Sequence, residues 1–79
     1  MKEVREVLDY IIKNIVRNPE DVKIIELEED DSKVFEVFLN EEDVGQVIGK
    51  DGRTIKSINI LLNALAGPKS EKYVLKVIR

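Results

Sequence analysis

The sequence has 79 residues, of which 43% are hydrophobic and 37% are charged, and its formal net charge at pH 7 is −3. This length is enough for one domain and too short for two. The sequence contains no cysteine and no histidine, which excludes disulfides and removes the commonest general base and metal ligand. No apolar run approaches the roughly 18 residues that span a bilayer, and the charged N-terminus is unlike a signal peptide. We therefore expect a soluble, cytoplasmic protein.

Charge is divided unevenly along the chain. Residues 1–49 hold six Lys or Arg and 14 Asp or Glu, whereas residues 50–79 hold seven Lys or Arg and two Asp or Glu. The balance is therefore −8 in the first part and +5 in the second. A local positive field is sufficient to bind phosphate groups, so the negative net charge does not exclude a nucleic-acid partner. A surface of mixed charges that is unevenly distributed by chance would explain the same pattern.

The first part of the chain predicts a helix followed by a hairpin. Apolar residues recur every three or four positions over about residues 2–17, the pattern of an amphipathic helix, and Pro19 ends it. The next two apolar stretches, at 22–27 and 34–39, are rich in β-branched and aromatic residues, which favours strands. The short acidic segment 28–32 between them predicts an antiparallel hairpin with a solvated turn.

Downstream of the hairpin the pattern predicts a short helix, a longer helix and a third strand, at residues 44–48, 53–66 and 72–78. Asn40 or Glu41 is placed to cap the short helix, and Gly67-Pro68 is placed to end the longer one. The element order is therefore α-β-β-α-α-β. This order predicts a two-layer α+β domain with a three-stranded sheet and helices on one face.

Three of the four glycines, Gly45, Gly49 and Gly52, fall within eight residues around the junction of the two helices. Glycine is costly there unless the backbone requires it. Gly49 and Gly52 permit a tight reversal of the chain. The longer helix then begins with its free N–H groups and its positive dipole end directed out of the turn, which is a favourable place for a phosphate.

Three positive side chains surround this turn. Lys50 lies at the tip, and Arg53 and Lys56 are three residues apart, so they share one face of the following helix. An anionic backbone lying over the turn would meet all three, although ordinary solvated charges would have the same pattern. Two other glycine motifs do not fit: Asp51 stands where a P-loop needs Ser or Thr, and the dinucleotide motif needs a preceding strand and another spacing.

The segment Val47-Ile48-Gly49-Lys50-Asp51-Gly52-Arg53-Thr54-Ile55 resembles the signature of KH domains, an Ile-Gly-x-x-Gly loop followed by an apolar residue three positions on. The α-β-β-α-α-β order is similar to the prokaryotic (type II) form. The resemblance covers the whole chain and implies a single KH domain at residues 1–79. A KH domain that fills a short chain resembles the KhpA family of small bacterial RNA-binding proteins.

This resemblance implies a clamp on about four nucleotides of single-stranded RNA or DNA. The glycine loop would hold the sugar-phosphate backbone, and the bases would lie in an adjacent apolar groove. The acidic side chain of Asp51 would repel phosphate, so we expect binding that is weak and sensitive to salt. The residues expected to contact RNA are Gly45, Ile48, Gly49, Lys50, Asp51, Gly52, Arg53, Ile55 and Lys56.

The resemblance further implies a role as an RNA chaperone or post-transcriptional regulator, and a homodimer or a second KH-containing RNA-binding protein as a partner. The alternative is a protein-interaction or dimerisation module that keeps the KH fold and binds RNA weakly or not at all. No serine has a histidine to activate it, and turns and helix caps explain the carboxylates. We therefore expect no enzyme, cofactor, metal, small-molecule substrate or membrane partner.

Overall fold

The computed structural model describes residues 3–67 and 72–78. They form α1 (Val4–Ile15), β1 (Lys23–Glu29), β2 (Ser32–Phe38), α2 (Val44–Ile48), α3 (Arg53–Ala66) and β3 (Lys72–Ile78). Short 3-10 turns lie at Pro19–Asp21, Glu41–Asp43 and Lys50–Gly52. The predicted α-β-β-α-α-β order is confirmed. Lys2 and Pro68, which the sequence pattern placed at the start of the first helix and after the last one, lie outside the described residues.

The sheet has β2 at its centre, with β1 antiparallel on one side and β3 parallel on the other. In this register Phe35 of β2 is opposite Glu26 of β1 and Leu75 of β3. The parallel pair is possible because α2 and α3 carry the chain back to the starting end of the sheet before β3 begins. β3 is an edge strand, because among the described residues only β2 pairs with it.

The core lies between one face of the sheet and the helices. Alternation along β2 directs Phe35 and Val37 into the helical layer, because successive side chains of a strand point to opposite faces. Phe35 also stacks on Tyr73, with ring centroids 5.5 Å apart, which joins the central strand to the edge strand. The buried residues of this core are Leu8, Ile12, Phe35, Val37, Val47, Ile58 and Leu62.

The first helix ends at Ile15, two residues before its predicted end, because the backbone becomes extended at Val16 (φ −86°, ψ 159°). The N–H groups of Arg17 and Asn18 instead donate to the carboxylate of Asp43, at 2.9 and 3.0 Å. The carboxylate of Asp43, distant in sequence, therefore accepts the hydrogen bonds that a further helical turn would have formed. The local sequence contains no signal for such a partner.

The hairpin turn is shorter than predicted. Only Asp30 and Asp31 connect the strands, since Glu29 pairs with Ser32 in the ladder, and the prediction of a turn over 28–32 is wrong in its bounds. Asp30 adopts a left-handed conformation with φ 53°, which aspartate tolerates better than most residues other than glycine. The turn residues are exposed, so solvation accounts for their charges.

Candidate nucleic-acid interface

Gly45 lies on the open surface of α2. A Cβ atom built on it would have no atom within 4 Å, so packing does not require glycine at this position. Ile48 is three residues further on and shares this side of the helix. Ile48 is partly buried, whereas its neighbour Val47 is fully buried in the core. The side of α2 next to the loop is therefore an open surface with one partly exposed apolar side chain.

The loop from Gly49 to Gly52 reverses the chain through three positive φ angles. Gly49 has φ 78° and ψ 173°, Asp51 has φ 57°, and Gly52 has φ 74°. A Cβ atom on Gly49 would collide with the hydroxyl oxygen of Thr54 and lie 2.8 Å from its backbone nitrogen. Position 49 therefore requires glycine for two reasons, conformation and close approach, whereas position 52 requires it for conformation alone.

The cations in and after the loop face solvent. Lys50, Arg53 and Lys56 are all exposed. None of the ion pairs formed within residues 3–67 and 72–78 involves these cations or Asp51. The positive field of the three cations is therefore available to an external anion.

The start of α3 adds a second source of positive potential. α3 begins at Arg53, directly after the left-handed Gly52, which has no side chain to cap the first turn. The N–H of Arg53 donates to the carbonyl oxygen of Lys50, and the positive end of this 14-residue helix lies beside the loop. The structure thus brings together the loop residues that the sequence analysis proposed as phosphate contacts.

The buried carboxylate of Asp43, only 2% exposed, anchors the start of α2. It accepts hydrogen bonds from the backbone N–H groups of Arg17 and Asn18 and from the Asn18 side-chain amide. The bond from the Arg17 N–H is the main cause that holds the pKa of Asp43 below its ordinary value, and it outweighs burial, which acts in the opposite direction. Asp43 thereby ties the α1–β1 connection to the helix that leads into the loop.

Asn40 provides a second attachment at the same point. As predicted, it caps the turn before α2, since its Oδ1 accepts a hydrogen bond from the N–H of Glu42 at 2.9 Å. Its side-chain amide also donates to Asp21 at 3.0 Å. The sequence predicts the cap but neither attachment to the α1–β1 connection, that of Asp43 or that of Asn40. An acid such as Asp43 near the start of a helix is already explained by the helix dipole.

Two asparagines on α3 hold the edge of β3. Asn63 accepts a hydrogen bond from the N–H of Tyr73 (2.9 Å) and donates to its carbonyl oxygen (3.1 Å). Asn59 accepts from the N–H of Leu75 (3.0 Å) and donates to the Tyr73 carbonyl oxygen (3.2 Å). α3 and β3 therefore run in opposite directions, and the end of β3 beyond Leu75 lies toward the loop. The sequence alone gives no signal for these contacts, because polar positions on a helix usually face water.

Ile55 lies four residues before Asn59, on the same side of α3. It is partly buried, as is Ile48 on α2. Both predicted groove residues therefore keep some apolar surface available beside the loop. Among the described residues, the partly buried apolar side chains that pack against the buried core include neither Ile48 nor Ile55.

The described ranges, 3–67 and 72–78, contain no helix with the length and apolar character needed to cross a membrane. Within the same ranges, no three Asp or Glu side chains are grouped in a way that suits a metal ion.

The element order, the mixed three-stranded sheet and the glycine loop between α2 and α3 define a KH domain of the type II form. The family model described as KhpA/KhpB, KH domain, matches residues 5–77. The chain belongs to this family of KH domains, which is not a family of enzymes.

Several relatives match nearly the whole chain. An RNA-binding protein KhpA of Thermotoga maritima is 54% identical over 76 residues, which is 96% of this chain and all of that protein. The RNA-binding protein KhpA of Chlamydia pneumoniae is 39% identical over 75 residues, 95% of this chain and 96% of that protein. The RNA-binding protein KhpA of Listeria monocytogenes is 37% identical over 75 residues, 95% of this chain and 99% of that protein.

Proposed function

We propose that this chain binds single-stranded RNA through the Gly49–Gly52 loop and the adjoining sides of α2 and α3. The observation that carries the proposal is the combination at one point of the start of α3 with exposed cations that form no ion pair within residues 3–67 and 72–78. The KhpA relatives, which are RNA-binding proteins, support RNA as the ligand.

The loop contacts the sugar-phosphate backbone and the neighbouring surface contacts the bases. Phosphate oxygens lie at the positive end of the α3 dipole, and Lys50 and Arg53 offset their charge. Bases of about four nucleotides lie over Ile48 and Ile55, and the open surface at Gly45 lets a base approach closely. A site this short has modest affinity and loose sequence preference, which suits an RNA chaperone or post-transcriptional regulator.

The direct test is a fluorescence-anisotropy titration of short single-stranded RNA with the wild type and with Lys50→Asp. Lys23→Asp is the matched control, because it makes the same charge change on an exposed strand residue outside the proposed site. We expect Lys50→Asp to weaken binding by about tenfold at low salt and Lys23→Asp to have little effect. Circular dichroism checks that both variants are folded.

Two results would contradict the proposal: no binding by the wild type at the highest usable concentration, or equal weakening by the two substitutions. Single-stranded DNA of the same sequence, titrated in parallel, shows whether the 2′-hydroxyl contributes.

The outer face of α3 favours a second function, self-association. Three large apolar side chains are exposed there, Ile60 (64%), Leu61 (47%) and Leu65 (54%), around the small Ala64. Exposed apolar patches often mark interaction surfaces. We infer that two copies pair through this face. The patch begins about two helical turns beyond the loop, so a dimer would present two RNA-binding loops and raise the overall affinity through effective concentration.

Sedimentation velocity over a range of protein concentrations tests this pairing. We expect the wild type to form a dimer and Leu61→Glu to remain monomeric. Tyr10→Glu is the control, because Tyr10 is similarly exposed (68%) but lies on α1. A wild type that stays monomeric at every concentration would contradict self-association and direct attention to a second KH-containing RNA-binding protein as the partner.

A further inference from the structure

The outward edge of β3 is closed in one half by side chains of α3. Alternate residues of a strand direct their backbone groups to the same side, so the outward groups of β3 belong to Tyr73, Leu75 and Val77. Asn63 and Asn59 together bond both backbone groups of Tyr73 and the N–H of Leu75. An edge strand normally leaves such groups to solvent or to another strand.

The covered part of the edge stops at the N–H of Leu75. The next outward groups are the carbonyl oxygen of Leu75 and the N–H of Val77. Within residues 3–67 and 72–78, no side chain and no loop backbone bonds to either group. Among the described residues, the C-terminal half of the β3 edge is therefore open, and it is the half nearer to the loop.

Asn59 lies at the boundary between the closed and open parts of this edge. Ile55 and Lys56, four and three residues earlier on α3, belong to the proposed RNA contact. Asn63 is one helical turn further from the loop. Both asparagines make two hydrogen bonds to β3, and the residues they join are partly buried. They make the same number of bonds to β3 and differ in their distance from the loop, and Asn63 also donates to the carbonyl oxygen of Asn59 at 2.9 Å.

We propose that Asn59 is a positioning residue for nucleic-acid binding and that Asn63 is not. Both functional groups of the Asn59 amide are engaged, so its orientation is fixed. It therefore sets the separation between the β3 edge and the part of α3 next to Ile55, over which the bases would lie. This inference rests on the proposed RNA-binding function. Binding groups lose effect when their separation changes by more than about 0.5 Å, and an edge strand has only one neighbouring strand to hold it in place.

The test compares Asn59→Ala with Asn63→Ala, which each remove two hydrogen bonds to β3. Affinity for short single-stranded RNA is measured by fluorescence anisotropy at a temperature where both variants are fully folded. We expect Asn59→Ala to weaken binding by about tenfold and Asn63→Ala by less than about twofold, because only the first loosens the part of the edge beside the loop. The salt dependence of binding stays that of the wild type in both, because neither substitution removes a cation.

Amide hydrogen exchange supplies an independent readout. The backbone N–H of Leu75 donates to Asn59, and that of Tyr73 donates to Asn63. We therefore expect faster exchange at Leu75 in Asn59→Ala and faster exchange at Tyr73 in Asn63→Ala. Equal losses of affinity in the two variants would show a merely structural role and overturn the inference. Binding that is lost in Lys50→Asp but unchanged in Asn59→Ala would overturn this inference alone. A wild type that does not bind RNA would overturn the proposed function together with it.

Discussion

The backbone at position 49 combines a conformation that only glycine adopts readily with a close approach to Thr54. Gly52 has a positive φ as well, but nothing lies within 4 Å of a Cβ atom at that position. The two glycines of the loop therefore contribute differently to stability. In the sequence motif the two glycines look equivalent. The close approach to Thr54 at Gly49 arises only when the loop packs against the start of α3.

We expect Gly49→Ala to lower the free energy of unfolding by about 3 kcal/mol or more, since backbone strain and collision with Thr54 add. Gly52→Ala should cost about 1–2 kcal/mol, the strain of a left-handed residue with a side chain. Urea unfolding followed by circular dichroism measures both. Equal decreases in the free energy of unfolding would show that Thr54 moves away from the new Cβ atom at no energetic cost.

Asp51 has a conformational reason to be in the loop. Its φ of 57° lies in the left-handed region, which aspartate and asparagine occupy more readily than most residues. Its negative charge nevertheless lies between Lys50 and Arg53 in the proposed phosphate contact. Asparagine keeps the conformation and removes the charge, so Asp51→Asn separates the two properties.

We expect Asp51→Asn to raise the affinity for single-stranded RNA by about two- to fivefold at low salt, with the gain shrinking as salt screens the charge. Its free energy of unfolding should stay within about 0.5 kcal/mol of the wild type. Anisotropy titrations at two salt concentrations, with urea unfolding as the control for stability, check both values. An affinity that does not rise at low salt would show that Asp51 lies outside the field felt by the RNA.

At the scale of elements, the carboxylate of Asp43 joins the end of α1 to the start of α2. Its pKa is lowered in the folded protein, chiefly by the N–H of Arg17. A carboxyl group with a lower pKa in the folded state stabilises the fold above its unfolded pKa. This stabilisation is lost as the pH falls through the folded pKa, because the protonated group accepts hydrogen bonds less well.

We expect Asp43→Asn to be less stable than the wild type at pH 7, because the asparagine amide places a donor against the donors of Asn18. The difference should narrow as the pH falls below the ordinary pKa of an aspartate and on through the lowered pKa of Asp43 in the folded protein, where the wild type loses its charged acceptor. Urea unfolding between pH 3 and pH 7 measures this. Asp51→Asn is the control, since it makes the same chemical change at an exposed residue. A stability difference that is independent of pH would contradict the role of the charge.

At the scale of the whole molecule, the acidic hairpin turn and the cationic loop lie toward opposite ends of the sheet. The hairpin turn is beside the start of β3, since Ser32 pairs with Lys72, whereas the start of α3 lies toward the end of β3. The molecule is 36 Å long, and charges separated by more than about 8–10 Å are largely screened at physiological salt. The acidic turn therefore does not cancel the positive field of the loop, and a protein with net charge −3 keeps a local site for phosphate.

The salt dependence of RNA binding should reflect the three cations at the loop, Lys50, Arg53 and Lys56. Three contacting cations predict a slope of about −2 for the logarithm of the association constant against the logarithm of salt concentration, at about 0.7 per charge for single strands. Lys50→Gln should reduce the magnitude of this slope by about 0.7. Titrations at four or more salt concentrations measure it. A slope much steeper than −2 would mean that cations outside the loop also contact the RNA.

The sequence by itself determined the order of the elements, the apolar faces that form the core, and the glycine loop at the start of α3. These features depend on periodicity and on neighbouring residues, which a linear pattern contains. The tertiary structure alone decided that α1 ends at Ile15, that Asp43 bonds groups 25 and 26 residues away, and that Asn59 and Asn63 close half of the β3 edge across 10 to 16 residues. The physical reason is that a polar side chain can bond any suitable donor or acceptor, and only the packing of the core determines which of them comes within 3 Å.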